Sequence, residues 1–253
     1  MLNCTEAYFN PELLVASSSK GLSWSPVSYK FVGESWGGVV DLGKKLRFNL
    51  NKDGSSWVDA FYLPNDLLPS GEELAEIWEL HPEKRGKGKI MGKVIEFPRW
   101  QQSYNQAYTF TGMNHEALPV PKEIERYLDF ANESEYSSMY GKNWKFTQIL
   151  LNWYGNGSDY IGPHADSEGQ LKKNSKGETL VYSVTFQRGK ESRTFRLKPK
   201  TGGKDRLDIR LDHGLVLVMG GRCQSTHKHQ VPKVNSKPER FGKRINLTFR
   251  IFK

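Results

Sequence analysis

From residue 143 to residue 252 the chain runs through one short apolar segment after another, with Gly, Lys and Asp turns between them. NWKFTQILLNWY (143–154), LVYSVTF (180–186), RTFRLK (193–198), LDIRL (207–211), GLVLVMG (214–220) and RINLTFRIF (244–252) have the length and composition of strands. Helical patterns are few and lie ahead of them, so no βαβ rhythm develops. That order argues for an α+β chain, mainly β, whose strands form an antiparallel sandwich or a jelly roll.

Two helices are predicted. In SGEELAEIWELHPEK, Ser70 precedes Glu72 and Glu73, and Leu74, Ile77, Trp78 and Leu80 follow at helical spacing, with Pro82 near the end. His81 is then a helix-terminus residue. VPKEIERYLDFAN (120–132) starts near Pro121 and gathers Ile124, Tyr127, Leu128 and Phe130 on or near one face. Residues 1–56 hold the strand-like runs SYKFVG, GGVVDL and LRFNLN and read as an N-terminal extension packed on a main domain, 57–253. The length is ample for one real core. The formal charge of +9 favours an anionic partner, nucleic acid first. Cys4 and Cys223 lack metal spacing, which fits free thiols in a reducing compartment. Neither a signal pattern nor a membrane-length apolar run occurs. The expectation is a soluble, intracellular protein of nucleus or cytoplasm, monomeric and with no membrane partner.

The chemistry gathers at His164-Ala165-Asp166. Side chains alternate along an extended segment, so the imidazole and the carboxylate point the same way. One distant His would complete a 2-His-1-carboxylate set, which holds Fe(II) on one face and leaves the other positions open. Alone the pattern is weak, because a solvated loop His beside a capping Asp reads the same. Two further features give it weight. STHKHQVP offers His227 and His229, and Arg244 and Arg250 share one side of the last strand. A guanidinium fork binds a carboxylate through two parallel hydrogen bonds. Asn152 and Tyr154 share a face of the strand entering the loop and bring an amide and a phenol to the same pocket. His115 and His213 read as structural. Tyr108 and Phe110 share a strand face, which is usually core; beside Arg99, Gln101 and Gln102 they can instead stack on a base. KRGKGK (84–89) is either a solvated turn or a phosphate contact.

Taken in order, N-x-Y, H-x-D, a later His and R-x-N-x-T-x-R resemble the AlkB family of Fe(II)/2-oxoglutarate-dependent dioxygenases over roughly residues 57–253. The resemblance implies a double-stranded β-helix (jelly roll) core at about 143–253, flanking helices, and a nucleotide-recognition lid at about 84–112. It implies that His164, Asp166 and His229 hold iron, with His229 preferred over His227 because Gln-Val-Pro follows it. Arg244 would take the distal carboxylate of 2-oxoglutarate, aided by Tyr154, with Asn152, Asn246, Thr248 and Arg250 lining the remainder. MGKVIEFPRWQQSY and AYTFTG resemble the lid of the DNA-repair branch. Tyr108 and Phe110 would then flank a flipped methylated base, with Glu168, Arg99 and Gln101 near it. Met91 stands where some duplex-active relatives carry a wedge, though plain core is the competing reading. Lys84, Arg85, Lys87, Lys93 and Arg99 would meet phosphates of DNA or RNA. The implied reaction uses O2 and 2-oxoglutarate to demethylate 1-methyladenine or 3-methylcytosine, releasing formaldehyde, succinate and CO2. The competing readings are the same chemistry on a protein, lipid or small molecule, or a silent nucleic-acid-binding module. Two departures stand out: the lid loop before Tyr108 is short, and Ser167-Glu168 replaces a pair of acids.

Overall fold

The chain enters two different sheets before its first helix. β1 (Tyr29–Phe31), β2 (Leu46–Asn49) and β3 (Ser56–Tyr62) precede α1 (Gly71–Glu79). Six short strands follow: β4 (Lys87–Ile90), β5 (Lys93–Glu96), β6 (Trp100–Tyr104), β7 (Tyr108–Phe110), β8 (Met113–His115) and β9 (Ala117–Leu118). After α2 (Lys122–Glu133) and the one-turn α3 (Glu135–Ser138), the second half is nearly all strand. It comprises β10 (Gln148–Tyr154), β11 (Ile161–His164), β12 (Val181–Arg188), β13 (Arg193–Pro199), β14 (Leu207–Leu211) and β15 (Leu215–Gly221). The short α4 (Cys223–Thr226) leads to β16 (His227–Val231) and finally β17 (Lys243–Arg250). This computed structural model describes residues 29–31, 45–90, 92–110, 113–141, 144–166 and 169–253.

The strands form an eight-stranded sheet, ordered β2-β3-β15-β12-β17-β10-β6-β9, and a five-stranded sheet, ordered β1-β14-β13-β16-β11. Every pairing in them is antiparallel except β6 with β9. Two further hairpins, β4–β5 and β7–β8, stand apart from both sheets. One apolar cluster fills the space between the sheets, joining Val58, Leu150, Val181 and Leu217 of the larger to Phe195, Ile209 and Val231 of the smaller. A second lies on the other face of the larger sheet, where Ile149, Leu151, Trp153, Tyr182 and Leu247 meet Leu74 and Ile77 of α1 and Ile124 and Tyr127 of α2. The sequence of layers is therefore helices, large sheet, small sheet. A sheet covered on both faces needs strands without a water-facing side. That is why β10 and β15 are buried along their whole length.

Both predicted helices form. Ser70 and Glu73 make a reciprocal capping box at the start of α1, and the Trp153 indole of β10 donates to the Ile77 carbonyl near its end at 3.0 Å. Pro121 stands at the N-cap position of α2, whose buried residues are Ile124, Tyr127 and Ala131. The division at residue 56 falls within the structure in an unexpected place. The β2–β3 hairpin spans it, and β1 pairs with β14, so the described part of the extension adds one strand to each sheet. Arg47 of β2 grips the fully buried Asp59 of β3 with two bonds of 2.7 Å, and the Tyr136 phenol donates to the same carboxylate at 2.7 Å. No helix among the described residues is long and apolar enough to cross a membrane.

Candidate active site

Alternation along three neighbouring strands builds the floor of the site. On β17, Ile245, Leu247 and Phe249 face the helices, so Arg244, Asn246, Thr248 and Arg250 face the small sheet. Antiparallel register sets Asn152 of β10 and Thr185 of β12 on either side of Asn246, and Leu150 and Ser183 on either side of Thr248. Tyr154 pairs with Arg244, and Gln148 with Arg250. The result is a polar strip in an otherwise apolar interface, at the base of a cavity.

His164 and His229 close this cavity from the small sheet. They are direct partners across β11 and β16, with ring centroids 4.2 Å apart. Asp166 follows two residues beyond His164, and one ligand atom from each of the three lies within 4.8 Å of the others. His164 Nδ1 lies 2.9 Å from the Gly162 carbonyl, which only accepts, so the proton sits on Nδ1 and Nε2 keeps a lone pair. Burial pushes the His164 imidazole below its ordinary range, and burial together with His164 pushes His229 down to about 3. Burial opposes ionisation of Asp166, yet Arg250 and the two imidazoles outweigh it and hold the carboxyl at about 2. Two unprotonated imidazoles and a carboxylate are what a divalent cation requires. Asp166 also has one oxygen to spare: Oδ1 accepts from Arg250 at 2.7 Å, whereas buried Oδ2 has no hydrogen-bond partner among the described residues. The donor set fits iron.

A candidate anion site lies deeper. Arg244 is buried and uses Nη2 on Thr185 Oγ1 and Asn246 Oδ1, while Nε and Nη1 find no hydrogen-bond partner among the described residues. Two unsatisfied donors on one buried guanidinium suit an anion. The Tyr154 ring packs against this group, 4.8 Å from its central carbon. Asn246 in turn donates to Thr248. Arg250 has another employment: it pairs with Asp166, is held from behind by Gln148 at 3.0 Å, and covers the Tyr108 ring.

Three residues that the sequence reading passed over hold this arrangement. Gln148 aims Arg250, Gln224 accepts the backbone N–H of Asp166 at 2.9 Å, and buried Arg193 clamps the carbonyls of Asn156 and Pro232. Arg193 thereby ties the loop after β10 to the segment that follows His229; burial and Arg244 lower it to about 10. Only Gln148 carried a local signal, since it shares the alternation of Asn152 and Tyr154.

Of the expected substrate residues, Tyr108 is buried and lines the same cavity as His164. Phe110 lies in β7, and Met91 and Glu168 lie outside the described residues. Gln101 is buried beside Arg99. The expected phosphate role of Arg99 is corrected by its position: it is 3% exposed and donates inward to Asn152 at 2.8 Å and Gln101 at 3.0 Å. Arg85 is likewise committed, with both Asp159 oxygens at 3.0 Å and the Trp100 ring beneath it. Lys84, Lys87 and Lys93 remain exposed.

The 2OG-Fe(II) oxygenase superfamily matches residues 86–250. The DNA oxidative demethylase ALKBH2 of Mus musculus is 30% identical over 70% of this chain and 72% of its own length. The alpha-ketoglutarate-dependent dioxygenase alkB homolog 3 of Homo sapiens is 34% identical over 84% of this chain and 72% of its own. The chain belongs to the AlkB family of 2OG-Fe(II) oxygenases. Among solved structures, OsALKBH1 covers 77% of the chain with a TM-score of 0.50 at 14% identity, which speaks for the jelly-roll fold. As an AlkB-family dioxygenase the protein uses Fe(II), 2-oxoglutarate and O2. His164, Asp166 and His229 are the residues that would hold the iron, and Arg244 has two buried donors that a carboxylate could take.

Proposed function

We propose that this dioxygenase removes methyl groups from N-alkylated bases of DNA, of the 1-methyladenine and 3-methylcytosine type, and so serves in DNA repair. The observation that carries the reading is the Tyr108 ring, an aromatic group that lines one cavity with the metal triad. Relatives named as DNA oxidative demethylases support it. When bound, iron, O2 and 2-oxoglutarate supply the oxidising chemistry that hydroxylates the N-methyl carbon, after which the hemiaminal releases formaldehyde. The chain's residues orient and exclude. Arg250 holds Asp166 in place, Arg244 and Tyr154 fix the co-substrate's far end, and the packed sheets keep water out. The methylated edge lies inside a duplex, so the base must be turned out to reach the triad. On this reading the β4–β5 and β7–β8 hairpins form the lid, and Lys84, Lys87 and Lys93 meet phosphates in a salt-dependent way.

The test is a single-stranded oligonucleotide carrying 1-methyladenine or 3-methylcytosine, incubated with Fe(II), 2-oxoglutarate and air and weighed by mass spectrometry. Loss of one methyl group, absent without 2-oxoglutarate and absent in His164→Ala, is the expected result. Succinate without a change in the oligonucleotide would move the substrate to another class.

A further inference from the structure

A chain of hydrogen bonds runs from the co-substrate floor to the outer hairpin, and its polarity is fixed throughout. Arginine has donors only. Arg99 Nε therefore donates to Asn152 Oδ1 at 2.8 Å, and Nη2 donates to Gln101 Oε1 at 3.0 Å. With its oxygen engaged, Gln101 turns its Nε2 outward, where His115 Nε2 lies 3.3 Å away. An amide NH2 only donates, so His115 must present a lone pair there. Burial first, and then Arg99, lower the His115 imidazole from its ordinary range, which favours that neutral form. The same ring stacks on Tyr108, its cross-strand partner, with centroids 6.2 Å apart and 29° between planes, and meets Phe97 at 6.0 Å. His115 thus touches both the aromatic wall of the cavity and the far end of the chain that grips Asn152.

We propose that His115 is a positioning residue for both halves of the site: its Nε2 anchors the chain that orients Asn152, and its ring sets the tilt of Tyr108. The role toward Tyr108 rests on the demethylase reading above, whereas the role toward Asn152 rests on the co-substrate alone. Without the acceptor, the Gln101 amide is free to turn over and presents NH2 to Arg99, which then releases Asn152. Without the ring, Tyr108 loses one of its packing faces.

Two substitutions separate the roles. His115→Phe keeps a ring and removes the acceptor, while His115→Gln keeps an acceptor near the position of Nε2 and removes the ring. Binding is read on anaerobic protein loaded with Fe(II), by titration of 2-oxoglutarate against tryptophan fluorescence. Anisotropy of a fluorescein-labelled strand carrying 1-methyladenine gives the second affinity. His115→Phe should weaken 2-oxoglutarate by about fivefold, the scale of one net hydrogen bond, and leave the methylated strand within about twofold. His115→Gln should show the opposite pattern, weakening the strand by about fivefold, the scale of an aromatic pair. Two variants that both match wild type, or that lose both affinities equally along with thermal stability, overturn the proposal. Wild-type protein that does not distinguish methylated from plain strand overturns the demethylase reading, and the 2-oxoglutarate titration then decides the role of His115 by itself.

Discussion

Two arginines on one strand face do different work because their neighbours differ. Arg250 meets a buried carboxylate and a glutamine, so its charge is spent on Asp166. Arg244 meets no carboxylate among the described residues, only uncharged groups of Thr185, Asn246 and Tyr154, and keeps two buried donors. Arg244→Met should therefore weaken 2-oxoglutarate by about 100-fold, since two charge-assisted hydrogen bonds contribute on the order of 3 kcal/mol. Iron affinity should hold, as Arg244 touches none of the three ligands. Calorimetric titration of each in turn checks this, and an unchanged 2-oxoglutarate affinity would place the carboxylate elsewhere. Arg250→Met should behave differently and weaken iron, because the Asp166 carboxylate would lose its partner.

At the level of elements, the site depends on β10, β12 and β17 lying side by side in one register. Each gives alternate residues to the helix-facing core and the rest to the polar strip, so a slip of one residue would exchange the two sets. The edge of the same sheet is held by the β2–β3 hairpin, where Asp59 is wholly buried and needs Arg47. Arg47→Met should cost about 3 kcal/mol, the low end for uncovering a buried charge, because the Tyr136 phenol still donates. For a chain of this size that lowers the melting temperature by roughly 6–12 °C. A drop of under 2 °C in differential scanning calorimetry would mean that the hairpin contributes little to the sheet.

For the molecule as a whole, acid is the lever. His115, His164, His213, His227 and His229 all sit below the ordinary imidazole range, with burial the first cause in each. In the unfolded chain they take up protons near pH 6.5, while the folded protein resists. The unfolded state then holds more protons, and stability falls as the pH drops. Metal-free protein should lose melting temperature steadily from about pH 6.5 downward. Asp166, held at about 2 when folded, adds a further loss below about pH 4. Melting curves between about pH 7.5 and pH 3 check this; a flat profile would show that the imidazoles titrate normally. Fe(II) should steepen the dependence, because protons compete with it for two of these rings.

Much of this protein is written in short range. Capping at Ser70, the 3.6-residue stripe of α2, the strand runs and the His-x-Asp pair all follow from local geometry, and each stands where the sequence puts it. The same alternation that placed Arg244 with Arg250 also placed Gln148 with Asn152. What distant partners decide was not legible. Arg99 looks basic and available in the sequence, yet pairing of β6 with β10 turns it toward Asn152. Arg193 and Gln224 support the metal ligands through backbone groups many residues away, which no local pattern encodes. His227 and His229 share a strand face, so alternation alone could not choose between them. The family likeness favoured His229, and the register of β16 against β11 supplies the physical reason. That register sets His229 opposite His164, and two rings must face each other to share one ion.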